Sequence, residues 1–552
     1  LVPLMFLVVV VLLGLLFRSV SATIATTLML FMSILAGMGA FGWTGYKLTP
    51  PSASAPNIIL TIAVAHTVPF LITFLATMRA GGDKEAAITE SLRVNFQPIF
   101  LTSLTTVIGF LALNTSEVPP IVHLGNIVAA GVTAAFVLSV TLLPAFIAVM
   151  PVRVKARPDR RHTVFDFVSR TVRDNYRRVL FGTLALTLVF VSFIPKNEIN
   201  DDFVTYFDES TEFRQDTDYA IENLIGPNNI QYALQADEAG GVNEPAFLAD
   251  VQTFVDYVRT QEEVHHVYAI TQTMKRLNRN MHGDLPEWHT LPDDRELAAQ
   301  YLLLYEMSLP YGLNLNNQVN LDKSATRVTV SFDAMSTKQM LDVEQRFDVW
   351  LKENLPHIQF EASSSNLMFS HIGQRSTRSM IAGALIAIVL ISAILVIVLR
   401  SFKIGFISLI PNLIPIGIAF GIWGLMIGEV GLSLAPVVSM TLGIVVDDTI
   451  HFLSKYLRGR REQGLDAGAA IQYAFRQVGS ALTVTTFVLV AGFMVLTLSP
   501  FRLNSDMGLL TAITIAVALI VDFLLLPSLL MTLDKERPSN QTRGLPAHST
   551  AD

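Results

Sequence analysis

The chain has 552 residues, of which 51% are hydrophobic and 15% are charged, and its mean hydropathy is +0.48. This composition excludes an ordinary soluble globular protein and indicates a polytopic membrane protein. Because the sequence has no cysteine, disulfides, thiol chemistry and cysteine-ligated metal sites are excluded as well.

Eleven apolar runs are long enough to be membrane spans. Six precede a long polar segment, at 2–17, 23–47, 57–78, 97–115, 121–150 and 179–194, and five follow it, at 379–399, 403–427, 430–454, 479–498 and 507–532. Most loop lysines and arginines fall on one side, which the positive-inside rule identifies as cytoplasmic. The polar segment is then external. Between Lys196 and Arg375 it holds 29 acidic and 13 basic residues, whereas the net charge of the whole chain is −7.

An internal repeat relates the two groups of spans. Four sequence pairs match at an offset of 382 or 383 residues: LFRSV at Arg18 with LRSF at Arg400, HTVPFL at His66 with DTIHFL at Asp448, GFLAL at Gly109 with GFMVL at Gly492, and LLPAFIAVM at Pro144 with LLPSLLMTL at Pro527. Repeats in the same orientation predict a pseudo-two-fold axis along the membrane normal. Leu1 aligns with Gly383, inside a span, so we expect the chain to lack an initial span and a first external domain.

These patterns predict the domain organisation of the chain. The segments are a first membrane repeat truncated to spans two to six (1–150), a basic cytoplasmic linker (151–178), the span that opens the second repeat (179–195), an external α+β domain (196–377), the second membrane repeat (378–533) and a cytoplasmic tail (534–552). Two amphipathic segments at equivalent positions, 83–99 and 466–482, are expected to lie at the membrane interface as short helices.

Alternating strand patterns and helical periodicity predict the fold of the external domain. The order is a strand at 229–236, a helix at 244–259 and a strand at 264–270, followed by a strand at 325–334, a helix at 336–353 and a strand at 357–362. Two βαβ units of this kind predict ferredoxin-like α+β packing. The insertion at 271–322 has a helical pattern.

Ionisable residues inside a predicted span are the main candidates for function. Asp447 and Asp448 are adjacent, and His451 follows at i+4 and i+3, so the three can share one face of a helix. A charged side chain near mid-bilayer costs about 2.5–3.5 kcal/mol on insertion scales, which favours a functional reason for keeping two. Adjacent carboxylates titrate as a pair, and His451 could pass a proton toward the cytoplasmic edge.

Other interpretations of this cluster stay open. The cluster could be a hydrogen-bonded set that only fixes helix packing. A metal site made from two aspartates and a histidine lacks a fourth ligand in the sequence. Asp522 is a third acid inside a span, and Thr485 and Thr486 can hydrogen-bond either a carboxylate or their own backbone.

The first repeat lacks these acids. His66 stands opposite Asp448, and Ala65, Pro69 and Ser139 stand opposite Asp447, His451 and Asp522. A lone intramembrane histidine is more often a packed hydrogen-bonding group, so His66 is a candidate counterpart rather than a predicted relay member. Coupling is expected to depend on the second repeat.

The sequence GIVVDDTIHFL, the duplicated spans and the external α+β domain together resemble the RND superfamily of transporters, and most closely its MMPL and Patched-related branch. The resemblance implies that Asp447 and Asp448 are proton-relay acids. It also implies that the external segment is a porter domain and that the cargo is hydrophobic or amphiphilic.

We therefore expect a multi-pass protein of the bacterial inner membrane that exports lipid-like substrates in exchange for protons. Neither enzymatic activity nor a cofactor or metal is expected, and no P-loop pattern points to ATP. Membrane lipids are expected partners, a homo-oligomer or periplasmic partner stays open, and the basic linker is interpreted as a lipid contact rather than a nucleic-acid site. The alternative function is a non-transporting lipid or sterol sensor, or a scaffold, in which the acids are structural.

Overall fold

The computed structural model describes residues 1–152, 162–223, 228–311, 313–333 and 335–534. Part of the predicted basic linker (153–161) and all but the first residue of the predicted cytoplasmic tail (535–552) lie outside the described residues. The chain divides into two compact units. One contains Leu1–Glu198 together with the part that starts at Ser376, and the other is Ile199–Arg375. We call them the membrane unit and the polar unit.

The α-helices of the described residues are numbered in chain order. They are α1 (Val2–Phe17), α2 (Val20–Gly42), α3 (Ala55–Arg79), α4 (Lys84–Leu111), α5 (Pro119–Val140), α6 (Leu142–Val149), α7 (His162–Asp174), α8 (Tyr176–Val191), α9 (Glu212–Asn223), α10 (Pro245–Arg259), α11 (Ile270–Met281), α12 (Arg295–Ser308), α13 (Thr337–Asn354), α14 (Ser365–Leu399), α15 (Phe402–Met426), α16 (Ala435–Arg461), α17 (Ala467–Leu496) and α18 (Arg502–Leu533). In the described part of the chain, ten helical segments are long and apolar enough to cross a membrane, and α1 is a shorter apolar helix. A multi-pass helical membrane protein is therefore confirmed.

The expectation of short interfacial helices at 83–99 and 466–482 is wrong. Each segment is the first part of a long continuous helix, α4 or α17. The charged residues that suggested an interfacial position lie in the first turns of these helices, which then continue into apolar sequence. A single helix satisfies its backbone hydrogen bonds throughout, whereas a break at this point would leave four carbonyls and four amides to be capped.

The internal repeat is confirmed by matching helix ends. Arg18 and Arg400 both have φ of 49°, a left-handed conformation, and they follow the ends of the equivalent helices α1 and α14. The serine that follows each arginine caps the next helix, because Ser19 accepts a hydrogen bond from the Ala22 amide and Ser401 accepts one from the Ile404 amide. Equivalent aspartates, Asp83 and Asp466, cap α4 and α17.

Helices α3 and α16 form the centre of the membrane unit, and 89% of the residues in the most apolar stretch of each are buried. Small residues let α16 approach α4 very closely. A Cβ atom added at Gly443 would lie 2.9 Å from the Thr106 Cα, and one added at Gly109 would lie 2.7 Å from the Ser439 carbonyl oxygen. The two helices therefore pack backbone to backbone, as small residues permit in membrane proteins.

The polar unit contains a four-stranded antiparallel sheet. Its strands are β1 (Asn228–Gln235), β2 (Val264–Tyr268), β3 (Ala325–Phe332) and β4 (Gln359–Ser363), in the spatial order β2-β3-β1-β4. This order, with α10 after β1 and α13 after β3, is the ferredoxin-like arrangement and confirms the predicted α+β fold. Two further strands of two residues each are Glu198–Ile199 and Glu429–Val430.

One face of this sheet carries the core of the polar unit. In β3 every second residue is buried, including Val328, Val330 and Phe332. This face packs against apolar residues of α10 and α13, such as Phe254 and Phe347. The alternation follows from the two-residue period of a strand with one face buried. The insertion between β2 and β3 is helical as predicted, and it forms α11 and α12.

Candidate functional site

The acid pair lies in the middle of α16, one of the two most buried helices of the membrane unit. Asp447 and Asp448 are 7% and 6% exposed, and His451 is 2% exposed. The His451 Nε2 atom lies 3.4 Å from the Asp447 Oδ1 atom, because residues four apart stand above one another on a helix. Asp447, Asp448 and His451 thus form one buried cluster, which we call the acid group.

Thr486 of α17 provides the hydrogen bond to Asp448. Its hydroxyl donates to Asp448 Oδ2 over 3.2 Å. The neighbouring Thr485 behaves differently, since its hydroxyl contacts the backbone carbonyls of Ala481 and Leu482 at 3.1 and 2.9 Å. Of the two threonines named from the sequence, Thr486 is therefore the one that contacts an acid of α16 directly.

Asp522 of α18 joins the cluster through a residue that the sequence did not suggest. The Thr449 hydroxyl lies 2.8 Å from Asp522 Oδ1 and also 2.8 Å from Asn412 Oδ1, on α15. Asp522 is fully buried. The third acid is thus linked to α16 through Thr449, the residue that follows Asp448.

The Thr449 bridge needs one more hydrogen than the threonine hydroxyl supplies. A threonine hydroxyl has one hydrogen to donate, yet the Thr449 oxygen lies at hydrogen-bonding distance from two oxygens. If Thr449 donates to one of them, the other contact needs a hydrogen from the partner. That hydrogen can come from a protonated Asp522 carboxyl group or from the Asn412 amide turned by 180°. The bridge therefore has a hydrogen-bonding arrangement for a neutral Asp522 and another for an ionised one.

A line of residues on α16 faces α4 of the first repeat. Gly443, Asp447, His451 and Lys455 are spaced four apart and so lie on one side of the helix. The Gly443 carbonyl accepts a hydrogen bond from the Thr106 hydroxyl at 2.9 Å. At the other end of the line, the Lys455 ammonium donates to the Val94 carbonyl at 3.1 Å. The acid group is therefore enclosed by the other repeat.

Lys455 lies one residue beyond the predicted span at 430–454, so the sequence suggests a cytoplasmic loop cation. In the structure it is 4% exposed and part of α16. The spacing 447–451–455 could have indicated this, because it continues the same helical face by one more turn. Asn412 and Thr449 gave no comparable pattern in the sequence.

The first repeat contributes His66 and two residues of α4. The Ser103 hydroxyl lies 3.0 Å from His66 Nε2, and the Thr102 hydroxyl donates to the Ile99 carbonyl of its own helix at 3.1 Å. His66 is 1% exposed, so the hydrogen-bonded pair of His66 and Ser103 is buried inside the membrane unit.

Several buried polar atoms of this cluster still have hydrogen-bonding capacity. Among the described residues, Asp447 Oδ1, His451 Nε2, Asp522 Oδ2 and His66 Nδ1 have no hydrogen-bond partner. Such atoms are rare in protein interiors, and each calls for a physical explanation. Within the described ranges, no group of three or more His, Asp or Glu side chains is arranged to hold a metal ion.

Comparison with known families identifies the chain. The sequence model of the MMPL family matches residues 1–178 and 226–547. The chain belongs to the MMPL family. This MMPL-family chain is 27% identical over 217 residues to the putative membrane protein MJ1562 of Methanocaldococcus jannaschii, a match that covers 38% of the chain and 55% of the relative. It is 25% identical over 127 residues to the hopanoid transporter HpnN of Rhodopseudomonas palustris, with 23% of the chain and 14% of the relative covered.

Solved structures share the fold of this MMPL-family chain. SecDF from Thermus thermophilus, a translocon-associated membrane protein, superposes with a TM-score of 0.60 at 14% identity and covers 97% of the chain and 61% of its own. The hedgehog release protein Disp from the water bear Hypsibius dujardini superposes with a TM-score of 0.68 at 14% identity, covering 96% of the chain and 70% of its own. The RND-type fold is thus confirmed. The chain spans about half, or less, of the length of the curated relatives it matches.

Proposed function

We propose that this chain is the membrane-coupling part of a secondary exporter that moves hydrophobic or amphiphilic, lipid-like substrates in exchange for protons. The observation that carries the proposal is the buried acid group of α16, with Thr486 bonded to Asp448 and Thr449 bonded to Asp522. The family relative named as a hopanoid transporter supports a lipid-like substrate. We place the protein in the bacterial inner membrane.

A proton carrier must be stable both with and without its proton. Two adjacent carboxyl groups meet this need, since they repel each other when both are ionised and can share one proton between them. In this chain the proton could pass between Asp447 and His451, whose facing atoms are 3.4 Å apart and have no other hydrogen-bond partner among the described residues. Thr486 and the Thr449 bridge then hold Asp448 and Asp522 while the charge of the group changes.

Asparagine substitutions test the proposal directly. Asp447→Asn, Asp448→Asn and the double variant keep the size and much of the hydrogen bonding but cannot titrate. In the complete protein, reconstituted in vesicles with an imposed pH gradient, we expect lipid export to fall to background while membrane expression stays normal. Ser139→Ala is the matched control, because Ser139 occupies in the first repeat the position of Asp522, and it should export normally.

The same experiment separates transport from lipid sensing. If the acids are only structural, the asparagine variants should be tolerated, since a group that can ionise is replaced by one that cannot. Near-normal and pH-responsive export by the double variant would therefore contradict proton coupling through this pair. Lipid binding without any lipid movement in the wild-type protein would favour a sensor.

The proposed orientation has a separate test. We place the polar unit on the external side and the basic loops on the cytoplasmic side, because lysine and arginine concentrate in the loops opposite the polar unit. A topology reporter fused after Arg161 should be active in the cytoplasm, and one inserted near Asp284 should be active outside. Reporters that mark the same side would show that the number of spans is wrong.

A further inference from the structure

Of the cavities on the side of the membrane unit where the basic loops are, two share Arg458 and combine cationic with apolar residues. The larger has a volume of about 450 Å³, and its polar wall includes Arg79, Arg458 and Arg476 with one acid, Glu90. Aromatic and aliphatic side chains, among them Phe17 and Phe165, form another part of its lining, and uncharged polar residues such as Thr77 and Gln477 form the rest. The cavity thus combines a cationic wall with an apolar one.

The second cavity has the same character in a smaller space. Its volume is about 260 Å³, and its cations are Arg93, Lys455, Arg458 and Arg461, with Glu462 as the acid. Aliphatic residues of α14, including Leu399, line its apolar side.

The internal repeat relates the two cavities to each other. An offset of 382 residues carries Phe17 onto Leu399 and Arg79 onto Arg461, and an offset of 383 carries Arg93 onto Arg476. The corresponding walls therefore come from α1, α3 and α17 in one cavity and from α14, α16 and α4 in the other. Each cavity therefore has two arginines and one apolar residue at equivalent positions of the two repeats, although most of the other lining residues differ.

Lys455 contributes to the smaller volume of the second cavity. It occupies there the position that Thr73 has in the first cavity, and its longer side chain takes up space. The first cavity therefore offers the larger volume for a ligand. Arg458 lines both cavities and does not distinguish them.

Three arginines of these cavities, Arg93, Arg461 and Arg476, keep donors available for a ligand. Arg476 uses Nε and Nη2 for Asp166, at 2.7 and 3.1 Å, and Arg93 uses the same two atoms for Glu90, at 2.8 and 2.9 Å. Arg461 donates from Nη2 to the Leu399 carbonyl at 2.8 Å. A guanidinium group has five N–H donors, so each of these arginines retains donors that its described contacts do not use.

We propose that both cavities bind the phosphate-type headgroup of an anionic amphiphile, with the headgroup on the arginines and the start of its apolar chain against the aromatic and aliphatic wall. Arginine is well suited to this ligand, because its planar group forms paired hydrogen bonds with phosphate oxygens. The excess of cations over acids in each lining favours an anion, and the apolar wall distinguishes an amphiphile from a free ion. This inference does not depend on proton coupling.

Lipid retention by the complete, purified protein tests the inference. After delipidation in detergent, phosphatidylglycerol, phosphatidylcholine with the same acyl chains, and inorganic phosphate are added separately, and bound lipid is measured by native mass spectrometry together with thermal stabilisation. We expect phosphatidylglycerol to bind about tenfold more tightly than phosphatidylcholine, because both carry the phosphate but the choline ammonium of the second is repelled by the cationic lining. Free phosphate should stabilise the protein much less.

Arginine substitutions in each cavity show where phosphatidylglycerol binds. Arg79→Gln/Arg476→Gln removes cations from the larger cavity and Arg93→Gln/Arg461→Gln from the smaller, and each pair should reduce phosphatidylglycerol binding about tenfold at one of two sites. The control is Arg177→Gln/Arg178→Gln, which removes two exposed cations that line neither cavity and should retain both sites. If a glutamine variant does not fold, the corresponding lysine variant keeps the charge and should bind phosphatidylglycerol with intermediate affinity.

Three results would overturn the proposal. They are equal binding of the two lipids by the wild-type protein, an equal loss of binding in the control variant, and stabilisation by inorganic phosphate as large as that by phosphatidylglycerol. The last result would show a simple anion site with no place for an apolar chain.

Discussion

The hydroxyl of Ser103 lies 3.0 Å from Nε2 of His66, and this pair repeats in the first half of the chain the contact between Thr486 and Asp448 in the second. His66 is 382 residues before Asp448, and Ser103 is 383 residues before Thr486. The duplicated helices therefore keep a hydroxyl next to the key side chain in both repeats. What differs is the side chain itself, an imidazole in one repeat and a carboxyl group in the other.

The Thr486 hydroxyl should matter for transport, whereas the Thr485 hydroxyl should not. Thr486→Val removes the hydrogen bond to Asp448, and a hydrogen bond to a charged group contributes about 1.5–3 kcal/mol. We expect transport to fall about tenfold or more, with normal expression. Thr485→Val is the control, since that hydroxyl only contacts its own helix. Equal effects of the two substitutions on vesicle export would show that the hydrogen bond to Asp448 has no special role.

Thr449 and Asp522 should behave as a coupled pair. Thr449→Val removes the bridge between Asp522 and Asn412 with almost no change in volume. In a double-mutant cycle with Asp522→Asn, measured by export or by thermal unfolding, we expect a coupling energy of about 0.5–3 kcal/mol. Thr511→Val in α18 is a control for the loss of a buried hydroxyl. Additive effects of Thr449→Val and Asp522→Asn would show that the bridge is not part of the site.

Lys455 should influence the pH profile of export. Lys455→Met keeps the length of the side chain but removes a buried cation one helical turn after His451, together with its hydrogen bond to the Val94 carbonyl. We expect a shift of the pH profile, measured across pH 5–8, with normal expression. Lys403→Met, at an exposed lysine in α15, should leave the profile unchanged. An unchanged profile in Lys455→Met would show that the cation serves packing alone.

Several features of the fold could be predicted because each follows from local chemistry. The spans follow from apolar length, the four-stranded sheet from its alternating pattern, and the face shared by Asp447 and His451 from helical spacing. The contacts of Asn412 and Thr449 could not be predicted, because they depend on how α15, α16 and α18 pack together. For the same reason, the sequence left the contacts of Thr485 and Thr486 open, although these two residues are adjacent.

The close crossing of α4 and α16 should tolerate no larger side chain. Gly109→Val would place new atoms against the Ser439 carbonyl oxygen, which is part of the backbone and cannot turn away. We expect a loss of about 1–3 kcal/mol in stability, the usual cost of overpacking, measured as a lower unfolding temperature in detergent. Gly39→Val is the control. It makes the same change in helix propensity, but no atom lies within 4 Å of the added Cβ. An equal effect at both sites would indicate a propensity effect only.

Asp348 should make the polar unit less stable as pH rises. Burial, and then repulsion from Glu344, raises the pKa of Asp348 above its ordinary value. The folded unit therefore binds this proton more tightly than the unfolded chain, and stability falls as pH increases through the acidic range. Asp348→Asn should slow hydrogen exchange in α13 at pH 7 but have little effect near pH 3. Asp342→Asn, an exposed site on the same helix, is the control. Equal stabilisation by Asp348→Asn at both pH values would contradict this explanation.

The two hydrogen bonds between α4 and α16 have a mechanical consequence. They join Thr106 to Gly443 and Lys455 to Val94, at points separated by twelve residues of α16, or about 18 Å of helix. Two attachments that far apart prevent one helix from sliding or pivoting freely on the other. A displacement of α16 that begins at its acids must then carry along a helix that belongs to the opposite half of the molecule. The first repeat, which lacks acids at the positions of Asp447, Asp448 and Asp522, would then move together with the second repeat, which has them.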